Sequence, residues 1–282
     1  MRYHIIIQLF VCLSICSCGI FDGSDSTQSS IHFKPPNLVT TVAQGSNNHG
    51  IIDLWITLDN QDLGVWPVDR TVPFLPLNDP AQLTIFPGVR INGDFTSSFN
   101  YPFYDALFID KNFVEGAVDT MTLDFQYNDQ TLFSFIEDFE GVTHLLTQDD
   151  DDDPDSFVEV EEQNGSQVAA LHVKPGNETL NVSTNIAFSD VIDKGFVFVE
   201  MDYKAETTFV MGLTSIDNND VEQFQGFIFL TETDGWNKIY LNVSEEVLVQ
   251  NAKSYRVSFN LTASSTTAEE SVYIDNIKLV HF

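Results

Sequence analysis

Between residues 37 and 129 the chain alternates short apolar-polar runs with turn residues, the period-two signature of half-buried strands. Residues 51–58 (IIDLWITL) predict a strand, residues 59–62 a turn, and residues 63–65 the start of the return strand. Residues 82–86 predict a further strand, Pro87-Gly88 a break, and Asn92-Gly93 a tight hairpin turn. Residues 120–127 (TMTLDFQY) place Met121, Leu123, Phe125 and Tyr127 on one face. From residue 133 onward nine further runs follow, at 157–161, 167–173, 179–182, 196–203, 208–213, 225–229, 236–242, 254–262 and 271–280. No window has a helical period. The pattern predicts an all-β chain, with a small β-sandwich over 37–132 and a jelly-roll β-sandwich over 133–282.

In the last run the pattern changes phase. Val272 and Ile274 belong to one alternation, Ile277 and Leu279 to another, and the slip falls at Asp275-Asn276. A slip of this kind predicts a β-bulge that turns Asp275 out of the ordinary alternation.

The N-terminus reads differently. Arg2 and an apolar run over 4–14 have the form of a signal peptide, too short to span a bilayer. Ile15-Cys16-Ser17-Cys18-Gly19 resembles the bacterial lipobox. The resemblance implies cleavage after residue 17 and diacylation of Cys18, with Cys16 as the alternative. Acyl chains contribute about 0.8 kcal/mol per buried methylene, so two or more hold a protein to a membrane without a spanning helix. Residues 18–36, rich in Ser, Gly and Asp and ending in Pro35-Pro36, predict a flexible tether. The expected location is the outer membrane of a Gram-negative bacterium, facing outward, with the lipid anchor as the only membrane contact. All three cysteines lie in the leader, so the body folds without disulfides.

A net charge of −30 excludes nucleic-acid binding, which needs a basic surface. It suits divalent cations. The acidic run over 149–153 lacks the spacing of an EF-hand loop and reads as a solvated loop. No zinc-peptidase, serine-hydrolase or phosphate-loop motif occurs, so the expected role is binding, not catalysis.

Four segments occur in an order that resembles the galactose-binding-like jelly rolls of carbohydrate-binding modules: EDFEG (137–141), NGSQVAALHV (164–173), GWNKIYLNVS (235–244) and VYIDNIKLV (272–280). The resemblance implies a polysaccharide ligand and a structural Ca²⁺. Its ligands would be Glu140 and Asp275, then Asp138, with carbonyls from the loop at Asn164 and Gly165. As plain residues, Asp138 and Glu140 read equally well as solvent-facing and Asp275 as a turn acid. Residues 54–88 resemble PEGA-like and carboxypeptidase-regulatory-like modules, which implies a spacer role with envelope proteins as partners.

Glycan binding needs exposed aromatic faces beside amide and carboxylate hydrogen-bonders. The candidates are Phe224, Phe227 and Tyr203, and the cluster Tyr101-Pro102-Phe103-Tyr104. Trp55 alternates within a strand and is expected in the core, Trp66 outside it, and Trp236 in packing.

Overall fold

The computed structural model describes residues 27–282 except 77, 154–155, 157, 176–178, 250 and 266. The expected signal peptide over 1–17, Cys18 and the first part of the expected tether lie outside the described residues. Ten strands form an N-terminal unit: β1 (Ser29–Phe33), β2 (Asn37–Val39), β3 (Asp53–Leu58), β4 (Gln61–Pro67), β5 (Thr71–Phe74), β6 (Ala81–Val89), β7 (Phe99–Asn100), β8 (Leu107–Lys111), β9 (Val118–Met121) and β10 (Asp124–Gln126). Eleven form a C-terminal unit: β11 (Leu132–Glu137), β12 (Leu146–Asp149), β13 (Val158–Gln163), β14 (Ser166–Val173), β15 (Thr179–Thr184), β16 (Val197–Ala205), β17 (Phe209–Asp217), β18 (Glu222–Leu230), β19 (Asn237–Asn242), β20 (Ala252–Thr262) and β21 (Glu270–His281). Among the described residues no helix is long and apolar enough to cross a membrane.

Two boundaries differ from expectation. Ser29–Phe33, placed in the tether, is a strand paired with β5 and, in parallel, with β9. Ile31 and Phe33 alternate inward and are buried, which anchors the segment. The run at 120–127 is split into β9 and β10, which belong to different sheets.

The C-terminal unit is a sandwich. Its six-stranded sheet runs β13-β14-β21-β16-β19 with β11 also on β21, and its five-stranded sheet runs β12-β15-β20-β17-β18. Alternating residues such as Leu171, Val199, Met201, Leu213, Val257 and Ile274 fill the space between the sheets. The bulge predicted at Asp275-Asn276 is present. The β16–β21 register shifts between Glu200 and Asp202, and Asn276 takes φ 52°. It marks the point where β21 exchanges β14 for β11 as its neighbour.

The two units share a core. Phe198, Tyr240 and Val280, on the outer face of the six-stranded sheet, pack into the N-terminal cluster with Tyr101, Phe103, Tyr104 and Tyr127. The 101–104 cluster, expected as an exposed glycan platform, is therefore buried at this joint except for Pro102, which is partly exposed. Glu200 is fully buried there and accepts hydrogen bonds from the Tyr101 and Tyr127 hydroxyls, each at 2.7 Å. Lys278, also fully buried, donates to Ser46 O at 2.7 Å and Tyr127 Oη at 3.1 Å. Burial holds its amine down to about 8, against the opposing pull of Glu200. Asn92, in the predicted Asn92-Gly93 turn, donates its backbone N–H to Tyr240 O and accepts from Asn242 N.

Candidate binding face of the five-stranded sheet

The N-terminal unit covers the part of the six-stranded sheet's outer face that carries Phe198, Tyr240 and Val280, and the outer face of the five-stranded sheet is open at Phe224 and Phe229. Directly opposed residues of antiparallel strands share a face, so the register gives its rows. Asn181, Asn260, Val210 and Phe229 form one row. Ser183, Ser258, Gly212 and Gly226 form the next, and Arg256, Thr214 and Phe224 a third.

A recess of about 340 Å³ lies on this face, lined by Asp150, Asn181, Thr214, Glu222, Phe224, Ser258 and Phe259. Its polar floor is tied together. Thr214 Oγ1 and Ser258 Oγ are 2.7 Å apart, and Asn260 Nδ2 donates to Asn181 Oδ1. Arg256 Nη1 donates to both Glu222 carboxylate oxygens, at 2.8 and 2.7 Å, while its buried Nε has no hydrogen-bond partner. Desolvation raises the Asp150 carboxyl above the ordinary carboxylate range. Asp150 belongs to the acidic run expected as a solvated loop. Asp149, Asp150 and Asp152 are exposed, as expected; the run also turns on its own side chains, and Asp151 Oδ2 accepts the Asn181 N–H, which brings Asp150 to the rim.

The aromatic positions follow from a bulge and a glycine. The β17–β18 register slips between Met211 and Gly212, opposite Ile228 and Gly226, so Phe227 is the extra residue. Phe227 is half-buried and packs against the core, off the outer row that holds Phe224 and Phe229. The slip sets Phe224 and Phe229 on the same outer face, 43% and 75% exposed. A Cβ on Gly212 would lie 2.8 Å from Phe224 Cε2 and 2.2 Å from Gln225 O, so the Phe224 ring reclines over a position only glycine can occupy. Tyr203 is 8% exposed, edge-on to Phe209 in the core, and is not a stacking platform. Of the three glycan candidates the face holds Phe224 alone. Sequence reasoning missed Phe229, Asn181, Asn260, Thr214, Ser258, Arg256, Glu222 and Asp150. Gly226 inside a strand was the one local signal of the bulge.

Trp55 and Trp66 also differ from expectation. Trp55 is on the surface and donates its indole N–H to Ser98 Oγ, while Trp66 is half-buried with its N–H on Leu63 O.

The candidate Ca²⁺ ligands are partly gathered. Ser166 Oγ lies 2.9 Å from Glu140 Oε1 and 3.4 Å from Asp275 Oδ2. Asp138 is exposed and accepts the Glu140 N–H. Asn164 and Gly165 form the turn leading into Ser166, and Asn164 lines a small recess with Asp202, Asp275 and Asn276. Burial, with Asp202 and Asp138 adding to it, pushes the Asp275 carboxyl up to about 7 against the Asn276 and Ser166 hydrogen bonds. Asp202, which sequence reasoning did not select, has a buried Oδ1 without a hydrogen-bond partner. The donors are hard oxygens that repel one another, which is the chemistry Ca²⁺ requires.

No family model matches the chain, and no curated protein matches it. Among solved structures it is similar to a xylan-binding domain from CBM 22, at 17% identity over 55% of this chain and 97% of that one, with a TM-score of 0.38. It is similar to the C-terminal family 22 carbohydrate-binding module of Clostridium thermocellum Xyn10B, at 15% identity over 55% and 97%, with a TM-score of 0.38. It is also similar to a CBM29-2 mutant complexed with cellulohexaose, at 13% identity over 55% and 92%, with a TM-score of 0.36. These likenesses assign no ligand to this chain.

Proposed function

We propose that this protein is a lipid-anchored, non-catalytic glycan-binding protein of the bacterial outer surface, and that it binds through the outer face of the five-stranded sheet. The observation that carries the reading is the pairing of Phe224 and Phe229 with a floor of amides, hydroxyls and an arginine-carboxylate pair. Aromatic rings stack on the apolar faces of pyranoses, and fixed polar groups orient the hydroxyls. The Cys18 anchor and the outward location rest on the lipobox-like leader. A Ca²⁺ held by Asp275, Asp202 and Glu140 would offset their mutual repulsion and fix the β21 bulge.

The test is a polysaccharide array probed with the chain from residue 19 onward, the expected mature chain without its acylated Cys18. Residues 133–282 alone are unsuitable, because they would expose Phe198, Tyr240 and Val280. Binding that falls at least tenfold in Phe224→Ala supports the proposal, and absence of binding to every glycan refutes it. A second reading, a rigid envelope spacer with protein partners, is favoured by the buried joint, which makes one body of two units. It predicts no glycan binding and an intact joint.

A further inference from the structure

We propose that the hairpin of β13 and β14 carries a site for a divalent transition cation of the zinc class, separate from the Ca²⁺ position and from the glycan face. Glu159 and Glu161 are two apart on β13 and so share a face, and the pairs Glu159↔Ala170 and Glu161↔Val168 set His172 on that same face of β14. One ligand atom from each of Glu159, Glu161 and His172 lies within 4.8 Å of the others. His172 Nε2 is 2.9 Å from Glu161 Oε1.

The other ring nitrogen is held from a different direction. His172 Nδ1 lies 2.9 Å from Ser271 Oγ, on β21, and 3.3 Å from Glu269 Oε1. An imidazole that binds a metal through one nitrogen characteristically gives its other N–H to an oxygen acceptor, which fixes the tautomer and raises the ligand's basicity. With the proton on Nδ1, facing Ser271 Oγ and Glu269 Oε1, the ring takes that arrangement and leaves Nε2 turned to the glutamate pair. It is also only 13% exposed in its side chain, so its orientation is set by packing.

Charge points the same way. Glu159, Glu161 and Glu269 surround one imidazole, and the nearby Lys204 ammonium sits over the Tyr273 ring, 5.3 Å from its centroid. A nitrogen donor with two carboxylates selects zinc-type ions over calcium, which takes oxygen donors alone.

The test is zinc titration of the metal-free mature chain by calorimetry with a competing chelator. We expect one saturable zinc equivalent, weakened at least tenfold in His172→Gln and in Glu161→Gln. It should be unchanged in Asp275→Asn and undiminished by excess Ca²⁺. Histidine ¹⁵N NMR on the unaltered protein guards against misfolded variants, since zinc should shift the His172 Nε2 resonance first among the histidines. Zinc affinity unchanged in His172→Gln, or a His172 resonance indifferent to zinc, would overturn the proposal.

Discussion

The joint between the units makes a quantitative prediction. Glu200 is fully buried and its two carboxylate oxygens accept from Tyr101 and Tyr127, at 2.7 Å each. The nearest cation, Lys238 Nζ, is 3.7 Å away and has no hydrogen-bond partner of its own. Beside that ion pair, the two hydroxyls donate to a carboxylate with no access to water. A hydrogen bond to a charged group contributes roughly 1.5–3 kcal/mol, and a buried charge left unpaired costs more than a neutral group. Tyr101→Phe or Tyr127→Phe should each destabilise the protein by about 2 kcal/mol. The double variant should lose about 3–6 kcal/mol, with coupling because both act on one carboxylate. The assay is urea unfolding followed by tryptophan fluorescence. Trp55 and Trp66 report on the N-terminal unit and Trp236 on the C-terminal one. One shared transition that moves to lower urea is expected. Two separate transitions in the unaltered protein, or a double variant within 0.5 kcal/mol of it, would show that the joint does not couple the units.

Three further predictions rest on other sites. Gly212→Ala should destabilise by more than about 2 kcal/mol or displace Phe224, because its Cβ would meet backbone and ring at 2.2 and 2.8 Å; melting curves and glycan affinity would both read it, and a neutral result would refute the packing described. Lys278 is held down to about 8 from 10.5, so between those values the unfolded chain keeps a proton that the folded chain releases. Its contribution to stability therefore rises with pH through that window, by about 3 kcal/mol, and the rise should vanish in Lys278→Met; equal slopes in urea titrations of both proteins would contradict this. Addition of EDTA to protein purified with Ca²⁺ should lower the melting temperature, and Asp275→Asn should abolish the response; an EDTA response unchanged in Asp275→Asn would remove Asp275 from the site.

Much of the fold is legible in the chain because it is local. Asn92-Gly93 and Asn164-Gly165 adopt the positive φ that their residue types favour. The phase slip at Asp275-Asn276 is a bulge because two aliphatics on each side, Val272 and Ile274 before it and Ile277 and Leu279 after it, must all reach one core. The covered face was not legible. Tyr101, Phe103 and Tyr104 look like an exposed platform until a sheet more than ninety residues away in sequence closes over them. The same holds for Phe227 and Tyr203, whose burial depends on how the two sheets meet. The binding face itself draws single polar residues from β15, β17, β18 and β20, which alternation marks only as outward-facing.

NMR shift mapping shows where on the surface the glycan binds. The mature chain would be titrated with an oligosaccharide drawn from the array hit, while side-chain amide, guanidinium and aromatic resonances are followed. Asn181, Asn260, Arg256, Phe224 and Phe229 should move together and saturate at one equivalent. Saturable shifts confined to residues outside the five-stranded sheet, with these five unmoved, would contradict it.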